Sequence, residues 1–198
     1  MKAEKKEFRI QMEICIQNVV ASAAFNHSVD LDAVVKAFPH VEYRPEVFPG
    51  LAFRLKRPKT CTLIFTTGKM VCTGAKSERE AKRAIRKVAR ELKREGIIIT
   101  GKPEIKTQNI VASIDLDMSI DVEEGIYAIS CLGKQVMYEP DQFPGAIYRM
   151  EDPRCVFLIF GNGKLVCVGT TREADVYKAV ENIVTILDDA EVLVRKEG

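Results

Sequence analysis

Four phenylalanines, two asparagines and six basic residues stand out because each has a mate at a fixed distance along the chain. Phe48 and Phe65 recur as Phe143 and Phe160, 95 residues later in both cases. Asn18 recurs as Asn109, at an offset of 91. Arg54, Lys59 and Lys69 recur as Arg149, Arg154 and Lys164, again 95 residues on. These residue types recognise rather than react. A phenyl ring offers a large apolar body, a carboxamide offers two donors and an acceptor, and lysine or arginine neutralises an anion. The repeated part carries no Ser/His/Asp, Cys/His or metal-ligating cluster, and the chain has no glycine-rich phosphate loop. His27 and His40 have no mates and read as incidental, and Asp115 with Asp117 reads as a surface pair in one repeat only.

The elements that must carry these side chains repeat as well. PKTCTLIFTTGKMVCTGA, from Pro58 to Ala75, returns as PRCVFLIFGNGKLVCVGT, from Pro153 to Thr170, with half of the positions identical. Each copy reads as two strands joined at a Gly-Lys turn. QNVVAS at Gln17–Ser22 returns as QNIVAS at Gln108–Ser113, within a first strand expected near Glu13–Ser22. YRPEVFPGLAFR, from Tyr43, returns as YEPDQFPGAIYR, from Tyr138, and its Phe-Pro-Gly holds Phe48 or Phe143 at a loop tip. Asp30 can cap a short helix carrying Leu31, Val34, Val35 and Phe38 on one face. Its counterpart begins near Asp121, with Val122, Ile126 and Ile129.

A long helix closes each repeat. Ser77 and Glu80 form a capping box, Ala81, Ala84, Ile85, Val88, Ala89 and Leu92 make an apolar stripe, and Gly96 stops it. Val176, Ala179, Val180, Ile183, Val184 and Leu187 repeat the stripe. The order is strand, helix, four strands, helix, twice over: a duplicated α+β unit. The expected division is a flexible segment 1–12, repeats 13–103 and 104–194, and a tail 195–198.

Leu63, Ile64 and Phe65 are all apolar, as are Leu158, Ile159 and Phe160, so both faces of these strands need cover. The long helix accounts for the face of Ile64, Met70 and Cys72. Alternation leaves Leu63, Phe65, Val71 and Thr73 on the other face, with Leu158, Phe160, Val166 and Val168 as their mates. Asn18, Val20, Asn109 and Val111 fall on that same face. No second set of helices remains to cover it, and an open apolar sheet face marks a binding surface. A quasi-symmetric partner with acceptors on an apolar floor and phosphates at its edges fits these groups, and the DNA minor groove at A·T pairs has that chemistry. Two rival readings are an enzyme on a duplicated sheet and a single-strand or RNA binder that stacks bases on aromatics. Stacking platforms belong in mid-strand, whereas two of these four rings sit in Pro-Gly turns.

The totals agree with a globular protein of 198 residues, without a secretory signal or an apolar run long enough to span a membrane. Residues 1–100 hold 20 Lys and Arg against 11 Asp and Glu, while residues 101–198 hold 10 against 17. This polarity suggests different partners for the two halves. Nine basic residues between Lys76 and Arg94 read as a solvated helix face or a partner surface. Six cysteines, none spaced as Cys-x-x-Cys, are expected to be reduced and buried.

QNVVAS with QNIVAS, FPGLAFR with FPGAIYR, and LIFTTGKMVCTGAKS with LIFGNGKLVCVGT closely resemble the TATA-binding proteins, over about residues 10–194. The resemblance implies a curved ten-stranded antiparallel saddle with helices on its convex face. It implies a general transcription initiation factor, not an enzyme, with no cofactor and no metal. By matching motif, Phe48, Phe65, Phe143 and Phe160 would wedge between base steps and kink the DNA. Asn18, Asn109 and Thr73 would meet bases at the central steps, and Val20, Leu63, Val71, Val111, Leu158, Val166 and Val168 would pack on the groove floor. Arg54, Lys59, Lys69, Arg149, Arg154 and Lys164 would meet phosphates. Glu139, Asp141 and Gln142 resemble the docking site for the B-type initiation factor. The implied partners are TATA-box DNA, that factor and the RNA polymerase pre-initiation complex, with no membrane and a homodimer of the DNA-free chain. The implied location is the archaeal nucleoid in the cytoplasm, or the nucleus for a eukaryotic member. Two positions depart from the pattern. Val168 stands where repeat one has Thr73, removing one donor to a base, so the second half would read more by shape. Glu46 stands where eukaryotic members commonly have a basic residue, away from a eukaryotic-type A-factor site. The bare core, without a long N-terminal extension, resembles archaeal members.

Overall fold

The computed structural model describes residues 11–25, 27–131 and 135–195. Of the expected terminal segments 1–12 and 195–198, residues 1–10 and 196–198 lie outside the described residues.

Sequence alternation becomes burial alternation in the first repeat. Strands β1 (Glu13–Ala24), β2 (Leu51–Lys56), β3 (Lys59–Ile64) and β4 (Lys69–Ala75) pair antiparallel. In the β3–β4 register Leu63 faces Val71 and Ile64 faces Met70. Ile64, Met70 and Cys72 are fully buried, while Leu63, Phe65, Val71 and Thr73 are half-buried. Helix α2 (Glu78–Arg94) packs on β3 and β4 and buries all six residues of its predicted stripe. Ser77 caps it, its hydroxyl accepting from Glu80 N–H at 3.0 Å. The Glu80 carboxylate accepts from Lys76 N–H, one residue before the position expected for a capping box. At the other end Gly96 (φ 79°) donates to Lys93 O and Ile97 donates to Leu92 O, the paired bonds of a Schellman stop.

The second repeat adds β5 (Glu104–Asp115), β6 (Met118–Ile120), helix α3 (Val122–Cys131), β7 (Val136–Met137), β8 (Ala146–Met150), β9 (Cys155–Ile159), β10 (Lys164–Thr170), helix α4 (Glu173–Asp189) and β11 (Leu193–Arg195). The short helix of repeat one, α1, spans Leu31–Ala37. Asp30 and Asp121 cap α1 and α3 as expected, accepting from Ala33 and Glu124 N–H at 3.0 Å each. On α1 the expected face is only partly inward: Leu31, Val34 and Phe38 are buried, but Val35 is exposed. Backbone hydrogen bonds order nine strands as β2-β3-β4-β1-β5-β10-β9-β8-β7.

Nine strands replace the expected ten, and the reason is local. Repeat two has β7 pairing Met137 with Ile147, whereas the matching residues of repeat one form only an isolated bridge, Glu42 to Ala52. The β6–β11 ribbon was not legible in the sequence and pairs Leu193 with Ile120. The peptide bonds before Pro58 and Pro153 are both cis. None of the six cysteines is in a disulfide bond. Cys72, Cys155 and Cys167 are buried, but Cys15 and Cys61 are half-buried and Cys131 is exposed, contrary to the expectation of general burial. Buried apolar surroundings push the Cys72 thiol up from its ordinary range.

Contacts divide the chain into two compact units. One comprises residues 16–111 and 168–176, and the other the remaining described residues. Within the first unit, Glu78 and Glu173, 95 residues apart, cap each other's helices. Glu78 N–H donates to Glu173 Oε1 at 2.6 Å, and Glu173 N–H donates to Glu78 Oε2 at 3.1 Å. Thr107 adds a bond to Glu78 Oε1 at 3.4 Å. A carboxylate beside a helix N-terminus satisfies free N–H groups and complements the helix dipole.

Candidate nucleic-acid interface

The helix-free side of the first unit's sheet is shaped by a bulge. In the β1–β4 ladder Val19 faces Ala75 but Ala21 faces Cys72, so Val20 opposes two residues, Thr73 and Gly74. Gly74 takes φ 92°, a region that glycine enters freely. This turns its N–H onto Asn18 Oδ1 at 2.7 Å. Gly169 repeats the arrangement with φ 105° and a 2.8 Å bond to Asn109 Oδ1. Because a backbone N–H can bond only to the carboxamide oxygen, each amide orientation is assigned, and each NH2 remains as a donor. Thr73 adds a second bond to Asn18 Oδ1 at 3.3 Å, and Val168 can add none to Asn109. Asn18, Val20, Leu63, Val71, Thr73, Asn109, Val111 and Val168 are all half-buried, the state expected of a sheet face that no helix covers.

Each unit also carries one of the two phenylalanine pairs singled out by offset. In the first unit Phe48 and Phe65 meet at 5.9 Å between ring centroids with planes at 68°. In the second Phe143 and Phe160 meet at 5.8 Å and 64°. Such tilted, edge-on contact is a favoured aromatic geometry. The loops holding Phe48 and Phe143 match. Arg44 O accepts from Val47 and Phe48 N–H, and Glu139 O accepts from Gln142 and Phe143 N–H. Phe48 is 43% exposed, a large apolar area for one ring. Both pairs rest on the glycine of their Phe-Pro-Gly motif. An added Cβ at Gly50 would lie 2.5 Å from Phe48 Cε1 and 2.9 Å from Phe65 Cε1. At Gly145 the distances would be 2.9 Å to Phe143 and 2.9 Å to Phe160. Leu158 and Val166 are half-buried in the second unit, with the parity expected of them.

The six basic residues singled out by offset, Arg54, Lys59, Lys69, Arg149, Arg154 and Lys164, are all exposed. Arg54 is not idle: its Nη2 lies 3.0 Å from Glu42 Oε2. That hydrogen bond holds the Glu42 carboxyl below its ordinary value and the Arg54 guanidinium above its own. Met137 occupies the place of Glu42 in repeat two, so Arg149 has no such carboxylate there. Glu139, Asp141 and Gln142 are exposed on the second Phe-Pro-Gly loop, and Val47 is exposed at the equivalent place on the first.

Several residues that organise this region escaped the reading from sequence. Gly74, Gly169, Gly50 and Gly145 lay inside the quoted repeats, and their shared offset was the available signal. His27 is not incidental. Its Nε2 lies 3.0 Å from Ile98 O and its Nδ1 3.2 Å from Thr100 Oγ1, which ties the segment after α2 to the end of β1. Since Ile98 O can only accept, the ring carries its proton on Nε2. His40 packs edge-on against Phe38 and Phe53. Asp115 accepts from Asp117 N–H at 3.1 Å and closes the β5–β6 turn. Among the described residues no group of three or more His, Cys, Asp or Glu is placed to hold a metal ion. No helix among them is long and apolar enough to cross a membrane.

A duplicated α+β unit whose sheet has a face that no helix covers defines a class of binding proteins. The sequence model of the family described as transcription factor TFIID (or TATA-binding protein, TBP) matches residues 13–95 and again 104–190. The TATA-box-binding protein of Sulfurisphaera tokodaii is 49% identical over 168 residues, which cover 85% of this chain and 83% of that protein. The TATA-box-binding protein of Archaeoglobus fulgidus is 45% identical over 171 residues, covering 86% and 92%. A solved structure, that of Methanococcus jannaschii TBP, is 44% identical with a TM-score of 0.78, covering 89% of this chain and 99% of that one. The chain belongs to the TATA-binding protein family, takes its α+β fold, and has archaeal relatives.

Proposed function

We propose that this chain is a general transcription initiation factor that binds TATA-box DNA through the minor groove. The observation that carries the reading is the pair of oriented carboxamides. Asn18 and Asn109 each have their oxygen held by a backbone N–H, at 2.7 and 2.8 Å, and each keeps an NH2 among half-buried apolar side chains. The minor-groove edge of an A·T or T·A pair offers only acceptors, whereas a G·C pair adds an amino group. Donors set in an apolar surface therefore favour A·T pairs in either orientation. Val20, Leu63, Val71, Val111, Leu158, Val166 and Val168 fit against the floor and its sugar walls, and Thr73 adds a hydroxyl beside Asn18. Arg54, Lys59, Lys69, Arg149, Arg154 and Lys164 fit the phosphates, with Arg54 exchanging Glu42 for a phosphate. Phe48 with Phe65, and Phe143 with Phe160, are suited to wedge between base steps and kink the duplex. Residues 13–103 and 104–194 act as the two halves of the reader. The acidic loop with Glu139, Asp141 and Gln142 recruits the B-type initiation factor, and through it RNA polymerase.

The test is a fluorescence bending assay on doubly labelled duplexes. Tight binding with a large change in end-to-end distance is expected for a TATA duplex and not for a G·C-rich one. Equal affinity for the two, or binding without bending, overturns the proposal.

A further inference from the structure

The hydroxyl that distinguishes the two repeats sits beside the two asparagines. Thr73 Oγ1 lies 3.3 Å from Asn18 Oδ1 and donates to it, while Gly74 N–H bonds the same oxygen at 2.7 Å. In repeat two Asn109 Oδ1 receives Gly169 N–H at 2.8 Å, and the residue at the place of Thr73 is Val168. Thr73, Val168 and both asparagines belong to one compact unit. The scaffold around the two positions is thus matched, and the difference between them is a hydroxyl against a methyl.

That difference bears on a G·C pair. In the minor groove guanine adds an exocyclic amino donor to the acceptors that A·T pairs offer. A threonine hydroxyl is amphoteric. With its proton directed to Asn18 Oδ1, Thr73 presents lone pairs that can accept from the guanine amino group. It can also rotate to donate to an adenine or thymine acceptor, because Asn18 Oδ1 keeps the Gly74 bond. Val168 can do neither. An amino group pressed against its methyls would be buried without a partner, which is strongly unfavourable.

We propose that Thr73 and Val168 make the two repeats unequal readers: the Thr73 half tolerates a G·C pair at the central step, and the Val168 half rejects it. The inference rests on the minor-groove reading of the open face and adds its specificity. An otherwise symmetric A·T site carrying one G·C pair is then bound with repeat one over that pair. A site with G·C pairs in both halves always places one against Val168.

The test uses three duplexes, with all A·T pairs, with one central-step G·C pair, and with one in each half. Affinities are measured for the full chain and for Thr73→Val and Val168→Thr. The unaltered chain is expected to bind the first two duplexes within about twofold and the third roughly tenfold more weakly, the usual scale for one misread pair. Val168→Thr should recover most of the loss on the third duplex. Thr73→Val should bring the loss to the second duplex, and a thermal melt of each variant reports that it is folded. If one G·C pair already weakens the unaltered chain as much as two, or if both variants keep its ranking, the proposal is wrong. Failure to bind the all-A·T duplex would sink the minor-groove reading itself, a separate outcome.

Discussion

Gly145→Ala isolates the placement of the phenylalanine pair from its chemistry. The substitution removes no ring, charge or hydrogen bond, and the Gly145 backbone lies outside the left-handed region that disfavours alanine. Only space is at issue. The new Cβ would stand 2.9 Å from Cε1 of both Phe143 and Phe160, and ordinary contact begins at 3.4 Å. Each ring must therefore retreat by about 0.5 Å, the difference of those distances. Displacement of that size is about the tolerance of a working site. Holding the rings in their original place would cost about 0.5–1.5 kcal/mol per strained side-chain torsion. Two rings sum to about 1–3 kcal/mol, so TATA-duplex affinity should fall by roughly 5- to 150-fold with less bending. Folding stability should change by less than about 1 kcal/mol, because the alanine also lowers unfolded-chain entropy by about that much. The companion Gly50→Ala brings a Cβ to 2.5 Å from Phe48 Cε1 and should weaken binding at least as much. The assay is the doubly labelled duplex titration, paired with a denaturant melt. If both variants are folded and still bind and bend as the parent does, the rings are not held in their working positions by these glycines.

Three further outcomes follow from named contacts. Replacing Glu139 and Asp141 by lysine should leave TATA binding within about twofold, since these exposed side chains lie outside the groove-reading set, but abolish the ternary complex with the B-type factor; gel shifts with and without that factor decide. Glu191 holds φ 57° at the end of α4, where its N–H bonds Asp188 O, so Glu191→Gly should stabilise the fold by about 0.5–1 kcal/mol in a denaturant melt. Thr170 Oγ1 is buried with no hydrogen-bond partner among the described residues, and its mate in repeat one is Ala75. Thr170→Val should raise stability by about 1 kcal/mol, and a loss of that size would mean the hydroxyl is satisfied.

The sequence by itself determined what is periodic or duplicated. Leu63 against Ile64 divided the strand faces, and burial follows that division residue by residue. The stripe from Ala81 to Leu92, the Ser77 cap and the Gly96 stop were legible because they depend on neighbours within a few positions. The phenylalanines and asparagines were legible because duplication repeats them, the phenylalanines 95 residues on and the asparagine 91. Tertiary structure decided the features that depend on register between distant strands. The bulge at Gly74 turns a backbone N–H onto Asn18 and thereby orients its amide, a result that periodicity cannot reach because it counts residues along one strand only. The reciprocal caps of Glu78 and Glu173 needed two helix N-termini brought together from 95 residues apart. His27 needed Ile98 and Thr100 returned to it through α2. The missing strand at Glu42 came down to pairing as well: repeat one reduces to a bridge what repeat two builds as β7. Composition set which groups are available to the open face, and register set which of their atoms point outward.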